Sequence, residues 1–198
     1  MTVHDEPSFD ETVQRVVRRL TDRANGEPAA GFPRDRDLAS HPGLYAWYAS
    51  QPALDLLSAS FGERIDQPIY AGQAGANSAK AGIERSATLY TRIRSNHLRG
   101  NLKASTFRRT LAAVLRKPLG LELDAPRRLS QASKDALTAW IAEQLEIVIA
   151  PHDDRSTLAA VEHAVLQALD PPLNLDQMLT TPVRARLKVL RAELATAP

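Results

Sequence analysis

The sequence predicts an α/β domain of the α+β kind, with a small central sheet, mixed or antiparallel, flanked by helices. Three observations predict it. Two aromatic and aliphatic runs, Gly43-Leu44-Tyr45-Ala46-Trp47-Tyr48 and Pro68-Ile69-Tyr70-Ala71-Gly72, are bounded by Pro and Gly as strands commonly are. A third run, Leu145-Glu146-Ile147-Val148-Ile149, is aliphatic and ends at Pro151. Around these runs lie segments with apolar residues at helical spacing.

In chain order, residues 9–23 carry Phe9, Val13, Val16, Val17 and Leu20 on one helical face. Ser8 is the expected N-cap, and Glu11 completes a capping box. Residues 25–41 are rich in Gly, Pro, Asp and Arg and read as a connection. The first strand covers 43–49, and a short helix over 54–61 ends at Gly62. The second strand covers 67–72, with Gly72 as its stop. Residues 74–82 are small and polar, a loop in which Gly75 and Gly82 allow sharp turns and a close approach to a ligand. Helices are expected over 83–98 and 105–115, with a connection over 118–126 and a helical stretch from 130. The third strand falls within 140–150. Residues 156–169 then form a helix with Leu158, Val161, Val165, Leu166 and Leu169 on one face. The last helix covers 181–194, with Pro182 in its first turn and Arg184, Arg186, Lys188 and Arg191 exposed.

The chain has 198 residues, of which 43% are apolar, enough for one domain with one core. It has no cysteine, which excludes a disulfide framework and a thiolate zinc site and fits a reducing cytoplasm. No apolar run approaches the roughly 18–20 residues of a membrane span. The first ten residues are polar and acidic, unlike a secretory leader. Net charge is only +2, but the pI is near 9.1. The asymmetry is local: Arg85, Arg92, Arg94, Arg99, Lys103, Arg108, Arg109 and Arg116 share a stretch without Asp or Glu. Such a patch is either a phosphate-binding surface or a solvated helix face balanced by acids folded nearby. There is no P-loop, no dinucleotide fingerprint and no zinc spacing.

The order of motifs is more specific than any one of them. Gly43-Leu44-Tyr45 and Tyr70-Ala71-Gly72 precede Leu89-Tyr90-Thr91-Arg92-Ile93-Arg94-Ser95-Asn96-His97-Leu98; Glu162 stands alone on a late apolar helix; Pro171-Pro172-Leu173-Asn174 follows. This order resembles the GIY-YIG endonuclease superfamily over most of the chain. The long gap between the helix arginine and Glu162 is similar to its restriction-type branch. The resemblance divides the chain into an N-terminal helix and connection (1–40), a nuclease domain (41–178) and a C-terminal helix (179–198). It implies a hydrolase that cleaves phosphodiester bonds, acting on double-stranded DNA in restriction, defence or repair. A catalytically decayed nucleic-acid-binding protein and an RNA-directed nuclease or toxin are the alternatives on the same scaffold.

The resemblance also implies roles. Tyr45 is the base, although a phenol with a reference pKa of about 10 serves only beside a cation or metal. Tyr70 orients groups in the same site. Arg92 is the cation that meets phosphate oxygens, since it precedes an aliphatic residue as the family arginine does. Many members carry a histidine four residues after that arginine. Here His97 is five after Arg92 and three after Arg94, so either Arg94 is the functional arginine or the helix is irregular. Glu162 holds the metal, Mg²⁺ or Mn²⁺, because one carboxylate with phosphate and water suffices for a hard divalent ion. Asn174 buttresses the tyrosines. Arg94, Arg99, Lys103, Arg108 and Arg109 are the expected nucleic-acid contacts, and base specificity is assigned to residues 101–109 and 125–134.

Overall fold

The computed structural model describes residues 7–76 and 87–196. Its first element is α1 (Phe9–Thr21), closed by the expected box: Ser8 Oγ accepts the Glu11 amide and the Glu11 carboxylate accepts the Ser8 amide at 2.8 Å. The connection that follows holds a two-residue strand, β1 (Glu27–Pro28), and one helical turn, α2 (Arg36–Ala39), capped by Asp35. Neither carries a periodic signal long enough to read. The strand β2 (Gly43–Ala49) has the expected bounds. Ser50 then caps α3 (Gln51–Phe61), which ends at left-handed Gly62.

The strand β3 (Tyr70–Ala74) differs from expectation. Gly72 does not stop it but lies in its middle, opposite Tyr45 of β2. The predicted helix over 83–98 begins outside the described residues, as does most of the loop containing Gly82. Its described end is a π-helix, Thr91–Leu98. Next come α4 (Thr106–Leu115), capped by Ser105, and a small hairpin of β4 (Leu123–Ala125) and β5 (Arg128–Leu129), within residues read as a connection and the segment after it. Then follow α5 (Gln131–Gln144), β6 (Leu145–Pro151), α6 (Leu158–Leu169) and α7 (Pro182–Thr196).

The main sheet has the order β1-β6-β2-β3, and every neighbouring pair is antiparallel. Its two faces sort the side chains by parity. Tyr45, Trp47, Ala49 and Tyr70 face a core shared with α3, α4, α5 and α7. Leu44, Ala46, Tyr48, Ala71 and Val148 face α1 and α6. With both faces covered, every residue of β2 is buried, so its sequence lacks polar alternation. The strand β3 is an edge. Among the described residues, no helix is long and apolar enough to cross a membrane.

Candidate active site

Tyr45 and Tyr70 project from neighbouring strands onto the same face, and both are buried. The Tyr45 ring lies over Gly72. A Cβ built on Gly72 would stand 2.7 Å from the Tyr45 hydroxyl and 3.0 Å from Cζ. Gly72 therefore leaves the space that the phenol occupies. Phe107 of α4 supports the cluster, with its ring centroid 5.1 Å from Tyr70 and 4.5 Å from Trp47.

The π-helix sets the next two groups. Its hydrogen bonds run from i to i+5, so residues five apart lie one turn apart. Arg92 and His97 are so spaced, and the one-residue departure in their spacing is absorbed by the wider turn. His97 Nε2 lies 2.7 Å from the Tyr45 hydroxyl, and His97 Nδ1 lies 2.8 Å from Ser105 Oγ. Ser105 Oγ also accepts the Arg108 amide at 3.0 Å as the cap of α4. The guanidinium of Arg92 acts on Tyr45, Tyr70, His97 and Glu162 alike. Arg94 instead donates to the Phe32 carbonyl at 3.2 Å.

The outer edge of β3 gathers the remaining groups. Asn174 Nδ2 donates to the Ala71 carbonyl at 2.8 Å, and Asn174 Oδ1 accepts the Ala71 amide at 3.0 Å. Leu173 donates its amide to the Ile69 carbonyl at 3.0 Å. Two residues further along, the Gln73 carbonyl accepts Arg92 Nε at 3.4 Å, and the Gln73 backbone also favours the charged form of Glu162. The helix α6 packs on the face opposite the tyrosines, and its Glu162 is half-buried, with Arg92 and the Gln73 backbone acting on its carboxylate. The charge of Glu162 is felt by both phenols.

Burial dominates the electrostatics. It raises Tyr45 well above the ordinary phenol range; Tyr70 and Glu162 add to this, and Arg92 opposes it. Tyr70 is pushed up to about 12, by burial first and then by Glu162. His97 is held well below the usual histidine range by burial, then by Arg92 and Arg108, so its ring is neutral at neutral pH. Glu162 is raised to about 7 by burial, against the pull of Arg92 and the Gln73 backbone. Among the described residues Glu162 is in no ion pair, and no three His, Cys, Asp or Glu cluster as a complete metal cage. A half-buried carboxylate in no ion pair among the described residues suits a hard divalent ion that takes its other ligands from phosphate and water. The residues present fit such an ion.

Several expectations change. Arg108 is fully buried and is not a surface cation: its guanidinium donates to the carbonyls of His97, Leu98 and Lys134 and to Thr138 Oγ1. It ties off the carbonyls that the end of the π-helix leaves free. Arg184, expected on the surface, is also buried and donates to Asp170, Asn174, Leu179 and Pro171. It anchors the segment that carries Asn174. Arg109 is half-buried with its Nε unpartnered, while Arg99 and Lys103 are exposed. Sequence reasoning missed Ser105, whose only mark is a capping position, and Gln73, whose contribution is backbone.

A family model described as the GIY-YIG catalytic domain matches residues 43–193. No curated protein and no solved structure matches.

Proposed function

The chain belongs to the GIY-YIG catalytic-domain family, and we propose that it is a metal-dependent endonuclease that hydrolyses phosphodiester bonds in double-stranded DNA. The work is restriction, defence or repair in the cytoplasm. The observation that carries this reading is the meeting of four groups around Tyr45: His97 on its hydroxyl, Gly72 beneath its ring, and the Arg92 and Glu162 charges acting on it.

In this mechanism Tyr45 takes the proton of the attacking water. Its own proton has a place to go, because neutral His97 presents Nε2 as acceptor when Nδ1–H is donated to Ser105 Oγ. Arg92 faces the phosphate and stabilises the charge that grows on its oxygens, a contribution typically worth several kcal/mol. Tyr70 borders the same space and orients the phosphate or the water. Asn174 holds the Ala71 backbone, and so the strand that carries Tyr70. Glu162 would hold Mg²⁺ or Mn²⁺, which when bound supplies positive charge that lowers the Tyr45 pKa and assists the leaving oxygen.

The test is cleavage of supercoiled plasmid and of a structured RNA, with Mg²⁺, with Mn²⁺ and with chelator. Nicking or linearisation of the plasmid is expected with either metal, none with chelator, and none for Tyr45→Phe. Cleavage of RNA alone would move the substrate to RNA. Folded protein that cuts neither would overturn the reading.

A further inference from the structure

A second basic feature lies outside the phenol site. The β4–β5 hairpin stands across from residues 100–103, where the chain leaves the π-helix, and a cleft of about 640 Å³ separates them. Its walls carry Lys103, Arg127, Arg128 and Lys134 against a single carboxylate, Asp124. Lys103, Arg127 and Arg128 are exposed and Lys134 is half-buried. Among the described residues none of these four cations is in an ion pair. Like charges held around a concavity repel, and an anion entering it relieves the repulsion.

The hairpin tip adds a second observation. Arg127 has φ 57, in the left-handed region that a long side chain adopts only at a cost. It follows Pro126 in the two-residue link between paired Ala125 and Arg128. Turns that need positive φ ordinarily take Gly or Asn. A guanidinium stands here at a position where glycine would fold more easily. The cleft is also tied to the tyrosines: Arg108, which lines it, donates to the carbonyl of His97, whose Nε2 meets the Tyr45 hydroxyl. Arg191 of α7 feels the charges of Arg127, Arg109 and Tyr70, and α7 packs against α4, which carries Arg109.

We infer that this cleft is a second nucleic-acid contact, in which Lys103, Arg127, Arg128 and Lys134 hold the phosphodiester backbone beside the bond being cut. The inference rests on the reading of the protein as a nucleic-acid phosphodiesterase. A strand suits the cleft better than a free phosphate does, because its cations are spread along two walls rather than focused on one point.

The experiment measures binding of a labelled DNA duplex and a labelled RNA in metal-free buffer, from about 50 to about 200 mM salt, where electrostatic binding shows as a slope of log K against log salt. Arg127→Gly removes the cation and the backbone strain together. Its melting temperature should be unchanged or higher, while affinity falls about 3–10-fold and the slope drops by about 0.9 for each duplex phosphate no longer neutralised. Arg127→Gly with Arg128→Ala should lose more of both. Arg64→Ala, at an exposed site paired with Asp66, should bind like the wild type. Wild-type binding with both cleft variants within about twofold of it, slopes included, would overturn the inference while leaving the nuclease reading standing. A wild type that binds neither DNA nor RNA would overturn both.

Discussion

Gly72 lies directly opposite Tyr45 across β2 and β3, and the Tyr45 hydroxyl occupies the space where a Cβ of residue 72 would be. Gly72→Ala must therefore push the phenol aside. A displacement of about 1 Å in a reacting group can cost about 10²-fold in rate, and overpacking costs about 1–3 kcal/mol of stability. Cleavage per folded molecule should fall to that extent. Because the loss runs through Tyr45, adding Gly72→Ala to Tyr45→Phe should reduce activity little further. Additive losses would show that Gly72 acts by another route.

The π-helix separates two arginines that sequence alone leaves equivalent. Arg92 acts on the phenols and on Glu162, whereas Arg94 is bonded to the Phe32 carbonyl. Arg92→Ala should lower kcat by about 10²–10³-fold, the range for removal of a donor to developing charge. Arg94→Ala should alter kcat by only a few-fold and lower the melting temperature slightly. Steady-state cleavage by the two purified variants decides between them; the reverse ranking would make Arg94 the functional cation.

His97 gives a prediction about proton transfer and geometry together. His97→Phe keeps an aromatic body but removes the acceptor for the Tyr45 proton, and a general acid–base group is typically worth about 10²–10⁴-fold. DNA affinity should be retained. Ser105→Ala should lose less activity, together with about 0.5–2 kcal/mol of stability from the missing cap. Cleavage and thermal melting of both variants check this pairing. His97→Phe at wild-type rate would remove the proton route.

Glu162 makes the stability of the metal-free protein depend on pH. Its carboxyl is raised from 4.5 to about 7, so the folded state holds the proton more tightly than the unfolded chain. The stability this contributes is present below about pH 4.5 and is lost as pH rises through about 7. In chelator the wild type should lose about 1–3 kcal/mol across that window beyond what Glu162→Gln loses. Added Mg²⁺ or Mn²⁺ should raise the melting temperature of the wild type at pH 8 and leave Glu162→Gln unmoved, because only the former binds the ion. Cleavage by Glu162→Gln should fall by orders of magnitude. Equal pH slopes in the two proteins would show that the Glu162 carboxyl is not held in a desolvated place.

Much of the sheet is legible because its signals are local. Pro42 and Gly43 open β2 and Ser50 caps the helix after it, so the bounds of that strand follow from neighbouring residues. The box of Ser8 and Glu11 fixes the start of α1 in the same way. The illegible parts depend on partners distant in sequence. Glu27–Pro28 is a strand only because β6 lies beside it. Arg108 and Arg184 read as surface charge, but backbone carbonyls brought together by the fold draw them inside. The π-helix leaves one trace, the extra residue between Arg92 and His97, and that spacing alone does not distinguish an irregular helix from a different arginine. That α6 packs on the face opposite the tyrosines follows from which layer it joins, and no local pattern encodes this.

The outer margin of β3 has a consequence for solubility. A strand that ends a sheet with free ladder groups is a template on which another chain can pair. Here Leu173 covers Ile69, Asn174 covers Ala71, and the Gln73 carbonyl is met by Arg92. The side chains assigned to the chemistry thus also shield the fold from its own copies. Asn174→Ala uncovers an amide and a carbonyl together, so its cost should appear as self-association as well as lost activity. A lineage that gave up this chemistry would have to find another cover for that margin before it could discard these residues.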